Sequence, residues 1–399
     1  MKGQEVMKYL PFLTVICLGC FAAASAKAGA KLCGDVDGDQ DVDITDAMLV
    51  AQYYNGMNPS GFNADVADVD GSGDITNVDA LLMAQYYVGL IDRFPAVDLS
   101  TLQYFPPIGR QAPYGTCTAW ASAYYYGTFL AARDNDWDAS GGDHTVLNSI
   151  HYLFREYSQG YTGAECTETA MATLSQIGCA SEASYPSWEY DANGNLMLDE
   201  NGNGIPLSFA EDPSPAAVQE ALLRRPGQLN KIEFPLDYNE SQSEIALEAM
   251  KQVLARNQPL VTRAYFRDNY WSYPYGESTD ENSGVMYANY EAPPVDFYRH
   301  TLAIVGYNDN KSYMVGSTEK FGAFLVANSE GPNWGVYNTS GASRGFLWVA
   351  YDMFVNHEIG RYDEVDSDPV PRDPCYDNVD VPTVYFHGAP VVGSEVVDP

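Results

Sequence analysis

Positive charge is scarce in this chain of 399 residues: 21 Lys and Arg stand against 54 Asp and Glu, a formal net charge of −33. A surface this acidic repels phosphates, which argues against nucleic acid and anionic membranes as partners and suits a protein that binds hard cations. Long apolar runs are also missing. After residue 28 nothing has the length of a membrane span, so none is expected. Histidine is limited to five residues, which leaves few candidates for an imidazole base. Cysteine is sparse, with seven in all, and Cys17 and Cys20 fall within the first 28 residues.

Those 28 residues read as a secretory signal peptide. Lys2 and Lys8 precede an uncharged run over 9–26 that ends in A-S-A-K-A, with cleavage expected near Ala26 or Ala28. The C-L-G-C run also fits a lipoprotein anchor, ranked second because Cys17 stands where a branched aliphatic residue is usual. An exported mature chain keeps Cys33, Cys117, Cys166, Cys179 and Cys375. Five is odd, as expected for one free thiol among pairable cysteines; equally, none pairs if the host is anaerobic.

What the chain does have is a repeat. D-V-D-G-D-Q-D-V-D-I-T-D from Asp35 and D-V-D-G-S-G-D-I-T-N-V-D from Asp68 match in register, and A-M-L-V-A-Q-Y-Y and A-L-L-M-A-Q-Y-Y follow them. Oxygen side chains at loop positions one, three, five, nine and twelve serve a cation that takes about six to eight oxygen ligands. In the first loop these are Asp35, Asp37, Asp39, Asp43 and Asp46, with the Asp41 carbonyl at position seven. In the second they are Asp68, Asp70, Ser72, Thr76 and Asp79, with the Asp74 carbonyl. A merely solvated acidic run would not repeat its helix at a fixed spacing, so two Ca2+ sites are expected. The module, residues 33–94, resembles a type I dockerin, which implies a cohesin domain on a scaffold as partner. Gln40 departs from the Gly usual at position six, where the turn is strained, and Asn77 and Val78 differ from Ile44 and Thr45 at the positions that choose the cohesin. So small and acidic a module is expected to need the metal to fold.

The larger domain opens on Q-A-P-Y-G-T-C-T-A-W, residues 111–120. Pro113 and Gly115 break the chain before Cys117, and the apolar, aromatic run 119–132 has the length of a buried helix. A cysteine at a helix N-terminus meets unpaired N–H groups that favour its thiolate. Further helices are expected over 145–159, 167–177, 216–225 and 243–257, and strands over 260–266, 300–307, 323–328 and 346–351. Helices first and strands later predict an α+β domain with a helical half, a sheet half and a cleft between them. In the sheet half, R-H-T-L-A-I-V-G-Y puts His300 at the mouth of a strand, and F-L-V-A-N-S-E-G puts Asn328 at the end of another. Nucleophile, base and ring-orienting amide are the three roles a thiol nucleophile requires.

Taken in order, Q-x-x-x-G-T-C-T-A, I-G-C-A-S-E-A-S-Y-P, H-T-L-A-I-V-G-Y, N-S-x-G-x-x-W-G and Y-D-M-F resemble a papain-like cysteine peptidase over 98–363, closer to a bacterial branch with T-A after the nucleophile. The resemblance implies a two-lobed fold, a protein or peptide substrate, and roles for Cys117 as nucleophile, His300 as base, Asn328 as its orienting amide and Gln111 in the oxyanion hole. Glu330 replaces the Trp that shields the Asn–His pair in that family, and Tyr114 replaces a common cysteine. The Cys-to-His and Cys-to-Asn separations, 183 (300 − 117) and 211 (328 − 117), exceed the roughly 130–150 common in the family, so insertions are expected around 189–213, 269–298 and 309–322. The stretch before Gln111 is short for an inhibitory prodomain, so activity is expected to be controlled in another way. D-A-N-G-N-L-M-L-D-E-N-G-N, Asp191 to Asn203, is a third calcium candidate that Asn-Gly turns alone would also explain. Residues 364–399 read as an acidic, Pro-rich tail without assignment.

The reading is a secreted cysteine endopeptidase docked to a cellulosome-like scaffold. One rival is a catalytically inactive papain-like domain that displays a binding cleft. Another is a polysaccharide-degrading enzyme, the commonest dockerin cargo, which needs paired carboxylates and leaves the ordered Cys, His and Asn motifs unexplained.

Overall fold

The computed structural model describes residues 32–112, 114–158, 167–191, 196–200, 203–235, 239–267, 279–280, 283–287, 297–334, 345–355 and 382–397. The expected signal peptide, Cys166, Cys375, His357, most of the 269–298 insertion and residues 364–381 lie outside them. No helix among the described residues is long and apolar enough to cross a membrane.

The two acidic repeats fold as two loop-helix units. α1 (Ile44–Tyr54) and α2 (Asn77–Tyr87) each begin in a capping box, Asp43 with Asp46 and Thr76 with Asp79, so the residues expected at loop positions nine and twelve also start the helices. Val36, Val50, Val66, Val69 and Met83 are buried between them.

The larger domain has the expected segregation. A continuous helical run carries Cys117: α3 (Cys117–Ala119), a π-helical stretch (Trp120–Gly127) and α4 (Thr128–Asn135). Every residue of the π stretch is buried. α5 (Ile150–Ser158), α6 (Thr167–Ile177) and α7 (Pro215–Leu223) complete the helical half, and α8 (Glu240–Ala255) packs on the sheet.

The described strands form one sheet, antiparallel except for one pair. Its path runs from β10 (Glu395–Val396) through β2 (Leu229–Glu233), β9 (Thr383–His387), β3 (Leu260–Arg267), β6 (Phe297–Val315), β7 (Thr318–Ala327), β8 (Phe346–Ala350) and β5 (Val285–Met286) to β4 (Thr279–Asp280). β5 and β8 are the parallel pair. β1 (Ala96–Asp98) pairs with β6 off this path, and the short α9 (Tyr351–Val355) follows β8.

Strand also forms where apolar runs do not indicate it. β6 runs on past Tyr307 to Val315, so the expected insertion over 309–322 is mostly a β-ribbon with a register shift between Asn308 and Ser312. An apolar-run criterion misses it because Thr318 to Phe321 on the facing strand are exposed. The described part of the tail, 382–397, supplies β9 within the sheet. There His387, 2% exposed, joins the nucleophile helix: Tyr126 Oη lies 2.9 Å from Nδ1, while Nε2 lies 3.1 Å from the Met171 carbonyl. The Met171 carbonyl can only accept, so the ring hydrogen sits on Nε2 and Nδ1 accepts the Tyr126 hydroxyl, whose oxygen in turn accepts the His387 N–H at 2.7 Å.

The module rests directly on the larger domain. Arg93 reaches Glu248 and Asp309 at 2.9 Å each, and the Tyr307 hydroxyl donates to the Phe94 carbonyl at 2.7 Å. From β6, Asn308 Nδ2 donates to the Gly71 carbonyl (2.9 Å) and Asn310 Nδ2 to the Asp70 carbonyl (3.2 Å), both in the second loop. Gly71 permits this approach: its φ is +67°, and a Cβ there would lie 2.4 Å from Asn308 Nδ2.

Candidate active site

Cys117, His300 and Asn328 are 5%, 3% and 0% exposed, while Gln111 is half-buried. The three described thiols sit in different surroundings. Cys179 is wholly buried, donates to the Ser149 carbonyl, and has its pKa raised by burial. Burial, with the nearby charges of Asp98, Asp68 and Asp79, pushes Cys33 up to about 12. Both keep their protons at ordinary pH and make poor nucleophiles. Among the described thiols, Cys117 alone opens a helix, after Thr116, which adds no side-chain cap.

On β6, His300 Nε2 lies 2.8 Å from Asn328 Oδ1. The same oxygen accepts the Ser329 N–H at 2.8 Å, which orients the amide with its acceptor toward the ring. Nε2 therefore carries a hydrogen, and Nδ1 is the nitrogen suited to exchange a proton with a thiol. Asn328 is anchored from the helix as well: the Tyr125 hydroxyl donates to its carbonyl at 2.9 Å and accepts the Gly109 N–H at 3.1 Å.

Gln111 is tied to the residue after Asn328. Its N–H donates to the Ser329 carbonyl (2.8 Å), and its side-chain Oε1 accepts from Ser329 Oγ (2.6 Å). With the oxygen held, the Gln111 amide N–H2 is the end available to an external acceptor. Next along the chain, Glu330 pairs with Arg110 in an isolated antiparallel bridge. Burial raises the Glu330 pKa, opposed by the charges of His300 and Arg110. Finally, Thr118, after Cys117, meets Thr301, after His300, through hydroxyls 3.0 Å apart. Cys117, His300, Asn328 and Gln111 thus come from four segments that side-chain and backbone bonds draw together.

The other described histidines are engaged elsewhere. His151 is lowered to about 4 by burial and lies against Trp188, His387 is lowered to about 3 by burial, and the His144 ring lies tilted against Tyr190. Sequence reading missed Ser329, Tyr125, Thr118 and Thr301. The adjacency of Ser329 to Asn328 was a usable signal, whereas three tyrosines in a buried helix look like packing.

The expected calcium ligands gather only partly. Carboxylate oxygens of Asp35, Asp37 and Asp39 lie within 4.8 Å of one another, as do those of Asp68, Asp70 and Asp79. Asp46 groups instead with Asp41 and Asp43, and its carboxylate accepts the N–H groups of Val36 and Asp43. Ser72 Oγ donates to the Asp74 carbonyl, while Thr76 Oγ1 accepts the Val78 N–H in the cap. Burial raises Asp35 and Asp68 to about 6. No Lys, Arg or His occurs in 33–87 to neutralise these groups. Clustered carboxylates with no basic residue among them fit a hard divalent cation. In the third candidate stretch, Asp199 accepts the Asn203 N–H, and Leu198 and Gly204 form an isolated antiparallel bridge. No carboxylate cluster among the described residues includes Asp191 or Asp199.

Solved structures of similar form include xylellain, a cysteine protease from Xylella fastidiosa (18% identity, 66% of this chain and 82% of that one, TM-score 0.42). The bromelain protease from Ananas comosus in complex with an inhibitor is another (15%, 73% and 97%, 0.38). A third is the clostridial cysteine protease Cwp84 after propeptide cleavage (16%, 76% and 58%, 0.38). No curated protein matches the sequence. Residues 33–87, which contain both acidic loops and both of their helices, match the family described as Dockerin type I domain.

Proposed function

We propose that the chain is a secreted cysteine endopeptidase that docks to a cohesin domain through a calcium-dependent dockerin. The observation that carries the catalytic half is the 2.8 Å contact of His300 Nε2 with Asn328 Oδ1, which turns Nδ1 to proton exchange on a strand tied to the Cys117 helix. In this reading His300 takes the Cys117 proton. The thiolate then attacks a peptide carbonyl, forming an S–C bond while the carbonyl π electrons move onto oxygen. The Cys117 N–H and the Gln111 amide hold that oxyanion. On collapse the C–N bond breaks and the imidazolium gives its proton to the leaving amine. Water, deprotonated by His300, then attacks the acyl-enzyme and releases the acid and the thiol. Asn328 keeps the ring oriented throughout.

In the module, Asp35, Asp37, Asp39, Asp43, Asp46 and the Asp41 carbonyl would hold one Ca2+, and Asp68, Asp70, Ser72, Thr76, Asp79 and the Asp74 carbonyl a second. Bound calcium neutralises carboxylates that otherwise repel. The inactive-domain reading keeps one supporting observation, the half-buried Glu330 beside the His–Asn pair.

The test is labelling of the calcium-loaded protein with an epoxide thiol-peptidase inhibitor, followed by peptide mapping and a casein-cleavage assay. Stoichiometric label on Cys117, lost in His300→Ala, together with loss of cleavage in Cys117→Ala, is expected. A folded protein that takes no label, or a Cys117→Ala variant that still cleaves casein, would overturn the assignment.

A further inference from the structure

We infer that Thr301 is a positioning residue for the Cys117–His300 pair, acting through a buried chain of three threonine hydroxyls. This rests on the proposed roles of Cys117 and His300. The Thr301 Oγ1 lies 3.0 Å from Thr118 Oγ1 and 3.2 Å from Thr167 Oγ1. Thr118, Thr301 and Thr167 are 0%, 2% and 3% exposed, so water does not compete for these contacts. A hydroxyl has one hydrogen and two acceptor lone pairs, so Thr301 can serve both contacts, donating in at most one of them. The chain joins three elements: the start of the nucleophile helix, the base-bearing strand β6, and the first residue of α6.

The placement decides what the chain controls. Thr118 directly follows Cys117, and Thr301 directly follows His300. Successive side chains of a strand point to opposite faces, so Thr301 holds β6 from the face that His300 does not use. Around a helix, neighbours are about 100° apart, so Thr118 is likewise turned away from the direction of Cys117. The bond therefore fixes the backbone that carries the imidazole relative to the backbone that carries the sulfur, without touching the reacting atoms. Ser122 Oγ donates to the Thr118 carbonyl one turn on, which stiffens the same end of the helix.

The consequence is electrostatic. A thiolate beside an imidazolium forms at lower pH the closer the two are held. Loosening the strut lets the pair separate, so the thiolate forms at higher pH. Misplacement by about 1 Å costs up to about 100-fold in rate, while substrate contacts elsewhere stay intact.

The experiment uses the calcium-loaded full chain. Alkylation of Cys117 by iodoacetamide is followed against pH, beside kcat and KM on a peptide substrate, for the wild type and for Thr301→Val, Thr301→Ser and Thr118→Val. The wild type should show an acid limb that His300→Ala abolishes; its absence would overturn the assigned Cys117 and His300 roles and this inference with them. Given that limb, Thr301→Val should move it to higher pH and lower kcat about 10- to 100-fold with KM within about twofold, and Thr301→Ser should restore both. Thr118→Val removes the same contact from the other side and should give the same shift, not increased in the double variant. That variant also decides the matter if Thr301→Val does not fold. An alkylation limb that stays at the wild-type pH in a folded Thr301→Val or Thr118→Val protein would overturn the inference, because a role in stability alone lowers the melting temperature and leaves the limb in place.

Discussion

The first and second acidic loops share a ligand pattern and a following helix, yet they meet different demands. In the first, Gln40 occupies the sharp turn with φ +81°, a conformation that costs a residue with a Cβ, whereas Gly73 takes the equivalent turn at φ +92°. The first loop keeps its hydrogen bonds within the module among the described residues, while the second gives two carbonyls to Asn308 and Asn310 of β6. Duplication thus left one loop strained and self-contained and the other relaxed and braced. Calcium should matter most where no outside contact replaces it.

The largest effect expected is from metal removal. Chelation should raise amide exchange in α1 and α2 toward unfolded rates while α4 to α8 keep theirs, with α1 losing protection at higher residual calcium than α2. Hydrogen exchange with mass spectrometry during a chelator titration reads this, and loss of both helices at the same calcium level would break the contrast. Removing the brace comes next. Asn308→Ala combined with Asn310→Ala deletes two hydrogen bonds worth about 1 kcal/mol each, so α2 should then open at the same calcium level as α1. An unchanged order of opening would mean that the brace does not set it. Relief of strain in the first loop is the smallest effect. Gln40→Gly should stabilise that turn by about 1 kcal/mol and tighten calcium there about fivefold, measured by calorimetric titration in an Asp68→Ala background. An affinity that does not move would show that the turn carries no such strain.

The two halves of the molecule were unequally legible for a related reason. The helix 167–177 has the bounds expected of it, and the expected strands overlap β3, β6, β7 and β8, because apolar spacing records the burial of one face. The π-helical course of Trp120–Gly127 left no mark, since a fully buried aromatic segment looks the same at either helical period. Polar ribbon and tail strands were missed for the converse reason: Lys320 and Phe321 are exposed, and β9 follows a stretch whose composition resembles a linker.

By itself the sequence determined whatever is written within a few residues: the twelve-residue ligand pattern, the capped helices behind it, and a cysteine at the start of a helix. Liganding and capping are local, so they leave local signatures. Only the tertiary structure decided how Ser329 holds Gln111, how Thr301 meets Thr118, how the tail enters the sheet through His387, and how Asn308 grips the second loop. Each joins segments more than a hundred residues apart, and the hydrogen bond that closes such a pair depends on the packing of everything between them, which leaves no period in the chain.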